Sequence, residues 1–427
     1  MGPGGGVRRP ETVGGGTVSA SRRILLTGLS TYWGGRLAQE LEQDPEVEAI
    51  IGIDRTPPKV ELERTEFVQV ADAHSLIRRI VDAAEIDTLV DTRLVVDSIV
   101  TSPRRAHENN VIGTMNILAA CTGRDSPVRK VVVKSSAHYF GIEQDDPAFF
   151  TEDYRRRRPA RTPIERDIVE AEELVRDFAV HHTDRTVTVL RFVNGLGPGL
   201  RTSHSRLLSL PVVPGILGFD PRYQFIHEHD IVGALGHAIR HDLPGAYNAA
   251  GDGVLALSEV ADLLGKPFVP LLPPWGTGIA LAGLRRLGLR VGPELARQLR
   301  FGRGVDNRRL KAAGYRYRYT SRETVLKLRE QQRVDPLLRN GGTSYRYERA
   351  VEEFLRWSPN VRRHPPDAPK TGSPEDLDSL DARELIKLIP SLEPAALEAL
   401  REHELAHRAR RTVLSAIDAN LVRQRTG

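Results

Sequence analysis

The sequence holds a single cysteine, Cys121, in 427 residues. One thiol excludes an internal disulfide framework and any cysteine-cluster zinc or iron–sulfur site, and it favours a reducing compartment. Charge of one sign is also lacking: 61 Lys and Arg against 56 Asp and Glu leave a net charge of +5. For this length that excess does not indicate a nucleic-acid binder. Long apolar runs are missing too. Leu207–Phe219 is interrupted by proline and Ile279–Leu289 by Arg285 and Arg286, and neither reaches the ~18 residues of a membrane helix. Met1–Ala20 is glycine-rich, carries Arg8 and Arg9, and lacks the apolar centre of a signal peptide. The expectation is a cytoplasmic protein with no membrane span, two or three domains long, and no internal repeat is visible.

What is present alternates. Ile24–Leu26 ends in Thr27-Gly28, Val47–Ile53 in Asp54, Phe67–Val70 near Asp72, Thr88–Val90 in Asp91, Val131–Val133 before Ser135-Ser136, and Thr186–Leu190 in Arg191. Between these runs lie helical patterns over Gly34–Gln43, Ser75–Ala84, Ala106–Cys121 and Ile168–His181. Continuous apolar strands alternating with amphipathic helices predict an α/β fold, a doubly wound parallel sheet covered on both faces. The domain reading is a flexible tail at residues 1–20 and a main domain at 21–334, whose smaller, Pro/Gly-rich part occupies mostly 195–330. A connecting segment at 335–378 and a helical hairpin at 379–424 follow. In that hairpin Leu405, Ala409, Val413, Ile417 and Leu421 recur every four residues and predict one face of a long helix.

The segment Ile24–Gly35 reads as a phosphate-binding turn. A strand ending in glycine and passing directly into a helix presents N–H groups and a positive dipole end to a pyrophosphate. Gly28 permits the tight turn and Gly34 the close approach of helix to strand. Asp54 ends the next apolar run, where a carboxylate can accept from the adenosine ribose hydroxyls. On these residues alone, a plain strand–helix turn remains the alternative.

From Arg23 to Gln332 the chain resembles the extended short-chain dehydrogenase/reductases, the group of NAD-dependent epimerases and dehydratases, and in particular actinobacterial epimerase-like proteins. Gly28, Thr31 and Gly34 fall on the family's T-G-x-x-G-x-x-G turn and Asp54 on its ribose-binding acid. Asp72 falls on the aspartate facing the adenine amine. Asn110-Val111-Ile112-Gly113-Thr114 matches N-V-x-G-T. Ser135–Gly141 matches S-S-x-x-V-Y-G, with Ser136 at the catalytic serine. Leu190–Asn194 with Gly197-Pro198-Gly199 matches the segment leading to the substrate, and Phe225-Ile226-His227 with Asp230 matches a later F-I-H-x-x-D. The resemblance implies a Rossmann fold with Gly28, Thr31, Gly34, Asp54, Asp72 and Asn110 on the cofactor and Asn194 on the substrate. It implies NAD rather than NADP, because Asp54 repels a 2′-phosphate, and a sugar nucleotide as second ligand. It also implies a homodimer through Ala106–Cys121 and Ile168–His181.

The same alignment shows where the family's chemistry fails. Thr162–Val175 aligns without gaps on T-P-Y-G-R-S-K-A-E-A-E-E-L-V, putting Ile164 at the catalytic tyrosine and Ile168 at the lysine. Neither can move a proton. Thr31 replaces the middle glycine of the turn, Asp91-Thr92-Arg93-Leu94 replaces a small H-L-A-A segment, and Tyr223, beside Arg222, replaces an arginine for the substrate diphosphate. Three readings follow: a cofactor-binding, catalytically degenerate protein; an enzyme with a surrogate acid such as His138 or Tyr154; or an interaction protein whose cofactor site Thr31 and Arg93 have closed. His138, Tyr139 and Tyr154 lie near the expected mouth, where a histidine can titrate near neutrality. Arg155–Arg158 is either a solvated run or an anion site, without the interleaved aromatics of a nucleic-acid binder. His403, His407, Arg408, Arg410 and Arg411 mark a partner-binding or self-associating helix, since no third metal ligand accompanies the histidines.

Overall fold

The computed structural model describes residues 23–70, 74–99, 101–123, 125–272, 292–338, 386, 389, 394–406 and 409–426. The expected tail at 1–20, Asp72, and most of the connecting segment fall outside these residues. The chain divides into two compact units, Met1–Gly342 and Thr343–Gly427.

The first six strands are β1 (Arg23–Thr27), β2 (Ala49–Asp54), β3 (Thr65–Gln69), β4 (Thr88–Asp91), β5 (Lys130–Ser136) and β6 (Thr186–Phe192). Short strands β7 (Asn194–Leu196), β8 (Val213–Ile216), β9 (Arg222–Tyr223) and β10 (Phe225–His227) precede β11 (Gly245–Ala249), and β12 (Leu255–Ala256) and β13 (Phe268–Leu272) follow. One seven-stranded sheet has the order β11-β6-β5-β4-β1-β2-β3, with every pairing parallel. The order reverses between β1 and β4, and a doubly wound sheet opens its ligand crevice at that switch point. The strands read as unbroken apolar runs because both faces are covered. Ile24 and Leu26 pack with Leu37, Leu41, Val132 and Leu235 on one side. Leu25 and Leu89 pack with Ile117, Val131 and Val175 on the other.

The covering helices include α1 (Tyr32–Leu41), α2 (His74–Ala83), α3 (Pro103–His107), α4 (Gly113–Ala120) and α5 (Pro163–His181). The expected single helix over Ala106–Cys121 is instead α3 and α4 joined by a π-turn, Glu108–Ile112. Asn109 and Asn110 sit in that turn, and their side chains reach the backbone of Arg93 and Val95. The wider turn serves those two contacts, in keeping with the occurrence of π-turns at functional sites. The smaller part of this unit carries α6 (Ser203–Leu208), α7 (Glu228–Arg240) and α8 (Leu257–Leu264). Its own core includes Leu196, Leu207, Val213, Tyr223, Phe225 and Val260.

In the second unit, helices Pro394–Ala406 and Arg411–Thr426 bury Leu397 and Leu400 against Val413, Ile417 and Leu421. The expected long helical face from Leu405 to Leu421 is therefore broken. Ala409 has φ 47°, Leu405 is 53% exposed, and the buried Glu404 accepts hydrogen bonds from the Arg410 amide and guanidinium. The buried carboxylate fixes a turn where the four-residue spacing alone suggested continuation.

One backbone contact fixes the start of α1. A Cβ at Gly34 would lie 2.1 Å from the Gly28 carbonyl oxygen. Gly34→Ala is expected to destabilise the chain by about 1–3 kcal/mol, the usual cost of overpacking, as measured by thermal or denaturant unfolding.

Candidate functional site

The turn between β1 and α1 is tight. Gly28 has φ +82°, its amide donates to the Ile53 carbonyl at 3.1 Å, and its carbonyl accepts from the Thr31 amide at 3.0 Å and the Thr31 hydroxyl at 2.7 Å. Thr31 Oγ1 also accepts the Gly34 amide at 3.1 Å, which caps α1. A side chain in this position satisfies one of the donors that a helix N-terminus otherwise offers to an anion. Asp54 ends β2 close by, as the sequence indicates. Its Oδ2 accepts from the Ser30 amide (2.9 Å) and hydroxyl (2.6 Å), and its Oδ1 from the Arg55 amide. A cleft of about 210 Å³ opens here, lined by Ser30, Thr31, Asp54, Arg55, Arg93 and Asn109 among others.

The floor of the crevice is a buried ion pair. Asp91, at the end of β4, accepts from Arg93 Nε and Nη2 at 3.0 Å each, from the Arg93 amide, and from the Thr27 hydroxyl at 2.8 Å. Burial alone pushes the Asp91 carboxyl up, but the Arg93 guanidinium and these hydrogen bonds outweigh it and hold it below the usual carboxylate range. The guanidinium fits because two glycines leave room. A Cβ at Gly113 would lie 2.2 Å from Arg93 Nη1, and one at Gly28 2.7 Å from Arg93 Cγ. Asn109 Nδ2 donates to the Arg93 carbonyl. Asn110, expected on the cofactor, bonds the amide and the carbonyl of Val95 with its side chain, each at 2.8 Å. At the end of β5 the buried Lys134 lies 5.9 Å from the centre of the Trp33 ring, and burial brings its ammonium down to about 8 against the pull of Asp91.

Ser136 closes β5 and caps the short turn Ala137–Phe140. Its Oγ accepts the His138 amide and lies 2.8 Å from His138 Nδ1. His138 Nε2 faces the Gln298 amide nitrogen at 3.3 Å, and Gln298 Oε1 faces His204 Nε2 at 2.7 Å. With the amide so placed, His138 Nε2 accepts and its Nδ1–H donates to Ser136, leaving the serine proton for another acceptor. The sequence leaves His138 open as a group titrating near neutrality or as a surface or packing residue, and here it is buried. Burial, Arg303 and His204 drive its pKa well below that of a free histidine. Tyr154 donates to Asp146 at 2.9 Å, and burial together with that carboxylate raises its phenol.

Ile164 and Ile168, on the first two turns of α5, are 1% and 0% exposed. They form an apolar cluster with Ala106, against which Leu94, Val95, Val96 and Tyr139 pack. The Arg191 guanidinium lies 3.8 Å from the centre of the Tyr139 ring and pairs with Glu172. Of the arginine run, Arg156 donates to Glu165 and to the Tyr139 carbonyl, and Arg158 to Asp145. Two of the four are thus bound within the protein. Asn194 begins β7, alongside β10. Sequence reasoning did not find Lys134, His204 or Gln298. Lys134 alone left a visible signal, a charge between an apolar run and the paired serines that end the strand.

The sequence model of the NAD dependent epimerase/dehydratase family matches residues 24–250. An uncharacterized protein of Mycobacterium tuberculosis is 34% identical over 308 residues, covering 70% of this chain and 81% of its own length. This chain belongs to the NAD-dependent epimerase/dehydratase family. Among solved structures, UDP-glucose 4-epimerase of Thermotoga maritima with UDP-glucose superposes with a TM-score of 0.56 at 16% identity, covering 74% of this chain and 99% of that one. UDP-glucuronic acid 4-epimerase of Bacillus cereus in complex with NAD gives 0.56 at 14%, covering 73% and 99%. At such identities the likeness is one of fold. No helix among the described residues is long and apolar enough to cross a membrane.

The ion pair at the floor generates a stability prediction. Asp91→Asn leaves the Arg93 guanidinium buried without its carboxylate and is expected to cost about 3–5 kcal/mol, with part regained in the double variant Asp91→Asn/Arg93→Met. The folded-state pKa lies below the unfolded one, so the contribution is present at neutral pH and is lost as acid protonates Asp91. Unfolding followed from neutral to acid pH checks both statements. The acid loss is expected to be smaller in the double variant.

Proposed function

We propose that this chain binds NAD at the crevice between β1 and β4 and does not carry out the hydride chemistry of its family, serving instead as a binding, sensing or scaffolding protein. The observation that carries this reading is the apolar packing of Ile164 and Ile168, at the positions where the family resemblance calls for a tyrosine and a lysine. A hydride leaves a carbinol only if a base takes the hydroxyl proton, and isoleucine has no atom that can do so. General acid–base catalysis is worth roughly 10²–10⁴-fold.

The residues present fit the dinucleotide best at its adenosine end. Gly28 and Gly34 allow a tight turn below a pyrophosphate, Asp54 stands where ribose hydroxyls are bound and disfavours a 2′-phosphate, and Arg55 and Ser30 line the same cleft. When bound, NAD supplies a hydride acceptor. Around it this chain offers Ser136 as a hydroxyl donor and, along the wall that would face the nicotinamide, branched apolar side chains. A sugar nucleotide beside Asn194 is the second ligand of this reading. Self-association is also part of it, through the C-terminal helices or through α4 and α5. On those two helices Ile112, Met115 and Val180 are exposed hydrophobic residues beside or within the helices.

A competing reading, an active enzyme with a surrogate acid, draws support from Tyr139, the phenol that packs against the cluster of Ala106, Ile164 and Ile168. Calorimetric titration and a sugar-nucleotide conversion assay separate the two. NAD is expected to bind more tightly than NADP, Asp54→Ala to weaken it about ten-fold or more, and UDP-glucose to remain unconverted. Turnover at an epimerase-like rate that Ser136→Ala or Tyr139→Phe abolishes would sink the degenerate reading, and absence of NAD binding would sink the cofactor half.

A further inference from the structure

A second group of polar side chains lies apart from the dinucleotide crevice, on the wall that carries His138. Arg303 is 7% exposed, and its Nε and Nη2 are both buried without a hydrogen-bond partner. Its amide donates to the Arg222 carbonyl at 3.0 Å, and it forms a β-bridge with Tyr223. Gly302, with φ +65°, brings the two segments so close that a Cβ there would lie 2.3 Å from the Arg222 carbonyl oxygen. The Arg303 backbone is therefore fixed against β9. Tyr223 is buried as well, with its hydroxyl unpartnered and its ring 5.7 Å from that of His204.

Among the described residues no side chain hydrogen-bonds or ion-pairs with this guanidinium. Glu165, whose charge acts on it most among the carboxylates, is ion-paired with Arg156 and Arg297. His138 and His204 are held neutral by burial, His204 at about 4. An uncompensated buried cation is costly, and natural interiors pair such groups. Nε–H and one Nη2–H lie in the guanidinium plane and point out of the same edge, the edge that meets the two oxygens of a carboxylate side by side. With one cation unpaired and the neighbouring imidazoles uncharged, the match is to a singly charged anion rather than to a phosphate dianion.

We propose that the Nε–Nη2 edge of Arg303, with the Tyr223 hydroxyl beside it, receives one carboxylate group of a small-molecule ligand on the wall next to His138 and Ser136. The site adds to the dinucleotide reading and does not depend on it. The group bound is recognised by its charge and planar shape, and no bond is made or broken.

Thermal unfolding of the full chain tests this, with sodium formate or sodium glucuronate compared with sodium chloride at equal ionic strength. The wild type is expected to melt at a higher temperature in the carboxylates than in chloride. In Arg303→Met that increment should be lost, while the melting temperature in chloride stays the same or rises, because an unpaired buried charge has been removed. Arg303→Lys keeps the charge without the planar edge and should retain only a small part of the increment. Tyr223→Phe should reduce it. Equal melting in carboxylate and chloride for the wild type would overturn the proposal, as would an increment that survives Arg303→Met. A large fall of Arg303→Met in chloride would overturn it too, since the guanidinium would then be paired inside the protein.

Discussion

The crevice is organised by the buried pair of Asp91 and Arg93. A carboxylate at the end of a central strand, with 5% of its surface exposed, is tolerable only if cationic and hydrogen-bonding groups surround it. Arg93 supplies two guanidinium contacts and its own amide, and Thr27 a hydroxyl. The guanidinium in turn requires two positions without a Cβ, Gly28 on the phosphate turn and Gly113 at the start of α4. Turn, strand end and helix are thus joined through one side chain at the switch point of the sheet.

The apolar wall follows from the same pair. With Arg93 drawn down onto Asp91, the following residues are held by Asn109 and Asn110 from the π-turn, and Leu94, Val95 and Val96 lie over Ile164 and Ile168. The charged pair after β4 and the branched apolar pair on α5 are joined by the segment Leu94–Val96. A lysine ammonium introduced alone at Ile168 would be surrounded by hydrocarbon and would have to shed its proton or displace its neighbours.

The sheet was legible in the sequence because its strands are buried on both faces and so appear as unbroken apolar runs, each ending near a polar residue at the crevice. Gly28, Gly34 and Asp54 were legible because a strand–glycine–helix turn is a local pattern. What escaped depends on contacts across long separations. Arg93 read as added bulk; its pairing with Asp91 emerges only when strand end and glycines are placed together. The π-turn escaped because helical periodicity records which residues are apolar, not where Asn109 and Asn110 must reach. Ala409 read as one step of a helical face, whereas Glu404 and Arg410 make it a turn. Gln298, His204 and Arg303 lie in a stretch with no periodic signal, and they meet Ser136 and His138 only through the packing of the smaller subdomain.

The two polar regions of the molecule stand in opposite conditions. At the crevice floor the charges are answered from within: Asp91 by Arg93, Asp54 by Ser30 and Arg55, the first turn of α1 by Thr31. A ligand arriving there must compete with hydrogen bonds already made, which weakens binding without abolishing the shape that permits it. At the wall beside His138 the balance is reversed. Arg303 and Tyr223 hold buried donors with no acceptor among the described residues, and the chain bears the cost of keeping them so. Selection for stability alone would fill such a place with hydrocarbon, since replacing buried ionic groups by well-packed apolar ones is commonly neutral or favourable. The start of α5 is filled in that way, with the buried Ile164 and Ile168. That Arg303 has not been is the physical reason to look for a ligand on that wall.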